Sequence, residues 1–164
     1  MINLILNRPA LLLTGLLLLL SQSYAQTLTV SGEVTKPLTL QAADLKAMPH
    51  TDVTGRDHDG KEHRYSGVPL IEFLKQAGTS VGSELRGKNL IKYAIIKAND
   101  DYEVIFALPE LDPEFATRII ILADSVDGAA LPAGTGPYRV VVPGEKKLAR
   151  WIREVKSIEI RSAK

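Results

Sequence analysis

The chain patterns as an α+β protein, mostly β, with a mixed or antiparallel sheet and short helices. Three observations predict this. Short strand-like runs bounded by Gly, Pro and Asp outnumber the helical patterns, of which only two are extended. Residues 136–160, GPYRVVVPGEKKLARWIREVKSIEI, place two apolar strands on either side of a basic loop. The 164 residues are 45% hydrophobic and 24% charged, with no internal repeat or linker, which suits one core.

The first 25 residues read as a leader. Arg8 supplies a positive charge, residues 10–20 form an apolar run, and Ser23-Tyr24-Ala25 is a small-x-small cleavage site. An 11-residue run is too short to span a bilayer. The expectation is a cleaved signal peptide over 1–25, then a single exported, periplasmic domain over 26–164 with no membrane attachment. The sequence contains no cysteine, which excludes disulfides, thiolate metal sites and thiol nucleophiles together. A net charge of +1 gives no bias toward nucleic acid.

Residues 28–32 alternate as a short strand, and Thr39 is placed to cap a helix over 41–48, which Pro49 ends. Residues 50–65 read as a hairpin with Asp59-Gly60 as its two-residue turn. That register sets Arg56 opposite His63, His58 opposite Lys61, and Asp57 opposite Glu62. One face then carries the cationic or titratable Arg56, His58, Lys61 and His63. Pro69 opens a helix whose stripe is Leu70, Ile71, Phe73, Leu74 and Ala77, and Gly78 stops it. Strands follow over 90–98 and 102–107, joined by an Asn99-Asp100-Asp101 turn. A short helical piece spans 109–115, with Glu110, Asp112 and Glu114 read as a solvated acidic turn. Residues 118–123 suit a buried strand, and Asp127-Gly128 turns the chain back.

In the 136–160 stretch, strand 138–142 is broken by Pro143-Gly144, and strand 155–160 closes the pattern. The loop between carries Lys146, Lys147, Arg150 and Arg153. Held by two strands, it is a candidate anion-binding loop. Arg150 and Trp151 are neighbours and project differently. Trp151 is expected to pack, and Arg150 to point toward Lys146 and the site. No nucleophile elbow, phosphate loop or zinc spacing occurs, so no catalytic or metal-ligating residue is assigned. His50 stands alone, and Ser66 has no evident base partner.

Three segments together resemble the sulfite-oxidase-like, molybdopterin-binding oxidoreductase domain. They are Gly32-Glu33-Val34 with Pro37 to Pro49; Tyr65-Ser66-Gly67-Val68-Pro69-Leu70 with Gly78; and Gly136-Pro137, Arg139, Pro143-Gly144, Arg150-Trp151 and Ile158. The resemblance spans about residues 28–160. It implies that family's fold and a molybdopterin cofactor held by basic loop residues. It also implies a cysteine thiolate on molybdenum from the region matching residues 50–63, which here contains no Cys. The expectation is a binding module for an anionic small molecule or a periplasmic partner protein. Its site residues would be Arg139, Lys146 and Arg150, with Arg56, His58 and His63. The alternative is a molybdopterin-dependent oxidoreductase with a non-Cys ligand such as Asp57 or His58.

Overall fold

A computed structural model describes residues 26–164; the expected signal peptide lies outside the described residues. Two sheets enclose a common apolar core. The first contains β1 (Leu28–Gly32), β2 (Leu38–Leu40), β5 (Lys92–Ala98), β6 (Glu103–Ala107) and β10 (Val155–Ser162), in the order β2-β1-β10-β5-β6. The second orders β3 (Thr51–Arg56), β4 (Glu62–Pro69), β7 (Ile121–Val126) and β8 (Ala129–Ala130), with β9 (Arg139–Val141) also paired to β7. Among the described residues only β1 and β10 run parallel; every other pair is antiparallel. The result is the mixed, strand-rich α+β class that the patterning predicts.

Helix α2 (Leu70–Ala77) is the best-signalled element. Its expected stripe, Leu70, Ile71, Phe73, Leu74 and Ala77, is buried, and it ends at Gly78 in the left-handed conformation. Helix α1 (Ala42–Ala47) is shorter than expected and starts one turn beyond Thr39. The Gln41 amide there donates to the Asp44 carboxylate at 2.7 Å, which does the capping expected of Thr39. Helix α3 (Leu108–Leu111) is a single turn. Asp112, just after it, is buried rather than solvated. Its carboxylate accepts the Gly82 amide at 2.6 Å and the Glu114 amide at 2.9 Å, so it ties two loops together. In β5 the core face is Ala94, Ile96 and Ala98, while Tyr93 and Ile95 lie on the opposite face.

The hairpin departs from its expected register, and the departure shapes the site. Gly60, not Asp59-Gly60, is the special residue. The Gly60 amide donates to the Asp57 carbonyl at 3.0 Å, and the Asp57 amide donates to the Lys61 carbonyl at 3.0 Å. Gly60 itself has φ 78°. This is a three-residue loop with its last residue in the left-handed region, which a side chain would strain. The strands therefore pair Arg56 with Glu62 and Gly55 with His63, one residue away from the expected alignment. A one-residue slip reverses every face. Asp57 now lies on the inner face with Gly55 and Val53, and the expected Asp57–Glu62 opposition does not occur. Arg56 points outward, away from His63.

Trp151 packs as expected: it is 3% exposed, and its indole N–H donates to the Val142 carbonyl at 3.1 Å. A Cβ at Gly55 would come within 2.3 Å of the indole edge, so the tryptophan uses the space a side chain there would need. Truncating a buried aromatic removes both transfer energy and packing. Trp151→Ala is therefore expected to cost about 3–5 kcal/mol of unfolding free energy in urea titration. A loss below about 1 kcal/mol would show that the ring is not a core element.

Candidate functional site

The hairpin register, strand β9 and the loop before β10 converge on one buried cation. Arg139 lies on β9 between Tyr138 and Val140, with both strand faces covered, and only 3% of its surface is exposed. A guanidinium taken this far from water needs a carboxylate. Asp57 supplies it as a two-pronged pair: Nη1 to Oδ2 at 2.6 Å and Nη2 to Oδ1 at 3.0 Å. The Tyr65 hydroxyl donates to Asp57 Oδ2 at 2.6 Å, and the His58 amide donates to Oδ1 at 2.7 Å. The guanidinium carbon lies 5.8 Å from the Tyr65 ring centre and 5.1 Å from that of Trp151. These two rings meet edge to face at 5.6 Å. Arg139 Nε is buried without a partner among the described residues.

The electrostatics follow from this geometry. Arg139 holds the Asp57 carboxyl far below the usual carboxylate range, against the opposing effect of burial; the Tyr65 and His58 bonds add to the lowering. Burial pushes the Tyr65 hydroxyl well above its ordinary value, reinforced by its bond to Asp57. Tyr65 is therefore a neutral donor at physiological pH.

Above this pair opens a cavity of about 350 Å³, lined by the hairpin tip, the β7–β8 turn, the loop at 131–135, and Arg139 and Arg153. A second cavity of about 330 Å³ adjoins it, and His58 and Arg153 line both. Among the described residues, neither the His58 ring nor the Arg153 guanidinium has a hydrogen-bond partner, and both are exposed. His63 is held differently. Its Nδ1 lies 2.6 Å from Asp127 Oδ2 and its Nε2 lies 3.1 Å from Asp59 Oδ2.

Of the six expected site residues, the fold brings Arg139, His58 and His63 to this cavity. Arg56, Lys146 and Arg150 do not line it. Arg56 donates to the Gly60 carbonyl at 3.0 Å and braces the hairpin tip from outside. Lys146 is exposed on its loop. Arg150 is occupied elsewhere, not pointing free toward Lys146. It pairs with Glu145 and, at 3.1 Å, with Glu110; it stacks 4.4 Å from the Phe106 ring centre. It also donates to the Ile105 carbonyl at 3.3 Å, an outward group of the edge strand β6. Glu110 accepts the Ala107 amide of the same edge at 3.1 Å. Arg150 and Glu110 thus cover a sheet edge that would otherwise offer free pairing groups.

Sequence reasoning missed Tyr65 and Asp127 as members of the site; it offered Asp57 only as an alternative metal ligand and Arg153 only as one cation of the basic loop. The signal for Asp57 was present. Asp at the first position and Gly at the fourth, as in Asp57-His58-Asp59-Gly60, favour a four-residue turn whose last residue is left-handed. Reading that turn in place of Asp59-Gly60 alone sets the register that turns Asp57 inward.

A small strand-rich domain with an arginine-centred cavity between hairpin and C-terminal loop is the class that fold and site define. Residues 20–164 match the family described as oxidoreductase molybdopterin binding domain, and the chain belongs to that family. Its fold is similar to that of the sulfane dehydrogenase SoxCD from Paracoccus pantotrophus, at 23% identity and TM-score 0.65. The similarity covers 82% of this chain and 37% of that one, so this chain spans well under half of its solved relative. Comparison with curated proteins gives no match.

Two outcomes test this site. The Asp57–Arg139 pair, with a depressed carboxyl pKa, contributes fully above the ordinary value of 3.8 and is lost as pH falls through the depressed one. Asp57→Asn leaves a buried guanidinium without its counter-charge and is expected to cost about 3–5 kcal/mol near pH 7. The gap from the parent protein should narrow below the ordinary carboxylate pKa, as measured by denaturation across pH; a constant gap would show that the carboxylate charge is not what stabilises. Arg150→Ala, removing several edge contacts, is expected to cost about 1–2 kcal/mol and to increase self-association in light scattering. A monodisperse variant of unchanged stability would refute the edge-covering role.

Proposed function

We propose that this chain is an exported, periplasmic binding module of the molybdopterin-binding-domain family, one that takes an anionic small molecule and carries out no molybdenum–thiolate chemistry of its own. The observation that carries this is the saturation of Asp57. The family resemblance implies a soft thiolate from the region of residues 50–63, and the chain has no cysteine to provide one. Asp57 is the carboxylate there that faces the cavity floor. Its oxygens already accept two bonds from Arg139, one from Tyr65 and one from the His58 amide. The donor set therefore does not fit a thiolate-held molybdenum, and no step is assigned through one.

The cavity's own chemistry favours an anion at its rim. Arg139 is neutralised by Asp57, and His63 is shared between two carboxylates. Of the arginines that line the first cavity, Arg153 is the one without an acidic partner, and His58 stands beside it on the ridge between the two cavities. Val126, Leu131 and Pro132 give the first cavity an apolar wall for the ligand's body. An arginine on such a ridge can fork onto a carboxylate, sulfate or phosphate.

Family membership favours one rival, a molybdopterin-dependent oxidoreductase with a non-Cys ligand; of the two expected ligands, Asp57 is occupied and the His58 ring is free. Metal analysis of protein purified from a molybdopterin-producing host, together with calorimetric titration of sulfate, separates the two. The expected result is no stoichiometric molybdenum and saturable sulfate binding that Arg153→Ala weakens by about tenfold, or ~1.4 kcal/mol. Stoichiometric molybdenum, or sulfate affinity indifferent to Arg153, would overturn the proposal. Binding only of a macromolecule from periplasmic extract would point to a partner protein instead.

A further inference from the structure

The mouth of the same cavity carries an arrangement that ligand binding alone does not require. His63, on β4, stands between carboxylates from two different elements: Asp59 on the hairpin loop and Asp127 on the β7–β8 turn. Both ring nitrogens point at carboxylate oxygens, at 2.6 and 3.1 Å. A neutral imidazole has one N–H and one lone pair, so it can satisfy only one of these contacts; the imidazolium satisfies both. The two carboxylates are themselves pinned. Asp127 Oδ1 accepts the Arg64 amide at 2.9 Å, and the Asp127 amide donates to the Arg64 carbonyl at 2.8 Å. Asp59 Oδ1 accepts the Lys61 amide at 2.9 Å. Neither carboxylate can swing away from the ring without breaking a backbone bond.

We infer that His63 is a charge switch for the cavity: clamped between Asp59 and Asp127, its imidazolium offsets their charge at the mouth, and its deprotonation makes the mouth one unit more negative and weakens the hold on an anionic ligand. The inference rests on the binding-module reading and names its regulation. The charges facing His63 come from every element around it. The hairpin contributes Asp57, Asp59, the His58 ring and, beside Asp59, the exposed Lys61; β9 contributes Arg139; the loop before β10 contributes Arg153. The β7–β8 turn contributes Asp127, and the neutral Tyr65 ring packs edge-on at 6.4 Å. Asp57 and Arg139 cancel. Asp59 and Asp127 together exceed His63 by one negative charge, with Arg153 and Lys61 as the nearby cations. Once His63 loses its proton, the wall that an anion must approach is one unit more negative.

The direction agrees with the electrostatics. The bond to Asp127, then that to Asp59, raises the His63 pKa above its ordinary 6.5, with slight burial opposing. For a raised histidine the stabilising contacts are complete below the ordinary value and are lost as pH rises through the raised one.

The experiment is a proton NMR titration of the three histidine rings in the full mature protein, paired with sulfate titration across the same pH range. Sulfate keeps its charge throughout. His63 is expected to titrate above 6.5, with its transition moved down in both Asp127→Asn and Asp59→Asn. Sulfate affinity is expected to fall by about fivefold or more across that transition, the size of one unit charge acting on another ~4 Å away in a water-like dielectric. In His63→Gln that fall should disappear while binding persists. A His63 transition at or below the ordinary value, or one indifferent to both Asp variants, would overturn the switch. So would a sulfate affinity whose pH dependence survives in His63→Gln. If His63 titrates as stated but sulfate binds at no pH, the anion-binding reading fails and the switch, as a control on a ligand, falls with it. If sulfate binds with no pH dependence, the switch alone falls.

Discussion

The pair between Arg139 and Asp57 constrains more of this molecule than any other contact. A guanidinium with 3% of its surface exposed is tolerable only with a carboxylate in direct, forked contact. Asp57 is in a loop more than eighty residues away in sequence. To reach Arg139 it must lie on the inner face of the hairpin. That requires the three-residue loop, and the loop in turn requires a left-handed Gly60. The aromatic walls are bound to the same condition. Tyr65 both bonds Asp57 and meets the Trp151 ring, and Trp151 lies against Gly55, the residue two before Asp57. Register, turn chemistry and aromatic packing are therefore one set of mutually dependent choices. None of them can change without leaving the buried charge unpaired.

The same pair sets the chemistry of the cavity. A cavity floor that meets a buried cation with the protein's own carboxylate is electrically complete. What remains reactive toward solutes is the rim, where Arg153 and His58 are free and His63 is titratable. The strongly shifted groups, Asp57 and Tyr65, serve structure; the modestly shifted one, His63, is placed where its charge can be felt by a ligand. The rigid ion pair lies below and the adaptable charges above.

Much of the fold was legible because it depends on local pattern. The α2 stripe, the Gly78 stop, strands β5 and β10, and the burial of Trp151 all follow from periodicity and residue size, which act within a few residues. The family was legible too, from Gly and Pro positions that carry the turns. The site was only half legible. Asp59-Gly60 supports two different turns; the Asp57-to-Gly60 spacing favours the one found, but no local pattern reveals that Arg139 is what Asp57 meets. Arg150 looked like a free cation because its partners Glu110 and Glu145 and the Ile105 carbonyl come together only in three dimensions. Asp112 looked solvated for the same reason, since the Gly82 amide it satisfies lies thirty residues away. Charges were read correctly as charges; what they pair with was set by topology.

The position of β10 has a consequence for how the chain reaches this state. β10 lies at the centre of the first sheet, hydrogen-bonded to β1 on one side and β5 on the other. It is also the last strand in sequence, so β1 can find its parallel neighbour only after some 130 residues of chain have closed into a loop. Until then β1 with β2, and β5 with β6, are two separate antiparallel ribbons, each with an unfilled side. Closure of this sheet waits on its longest-range pairing, and a ribosome-bound chain lacking β10 leaves β1 and β5 each with an open edge.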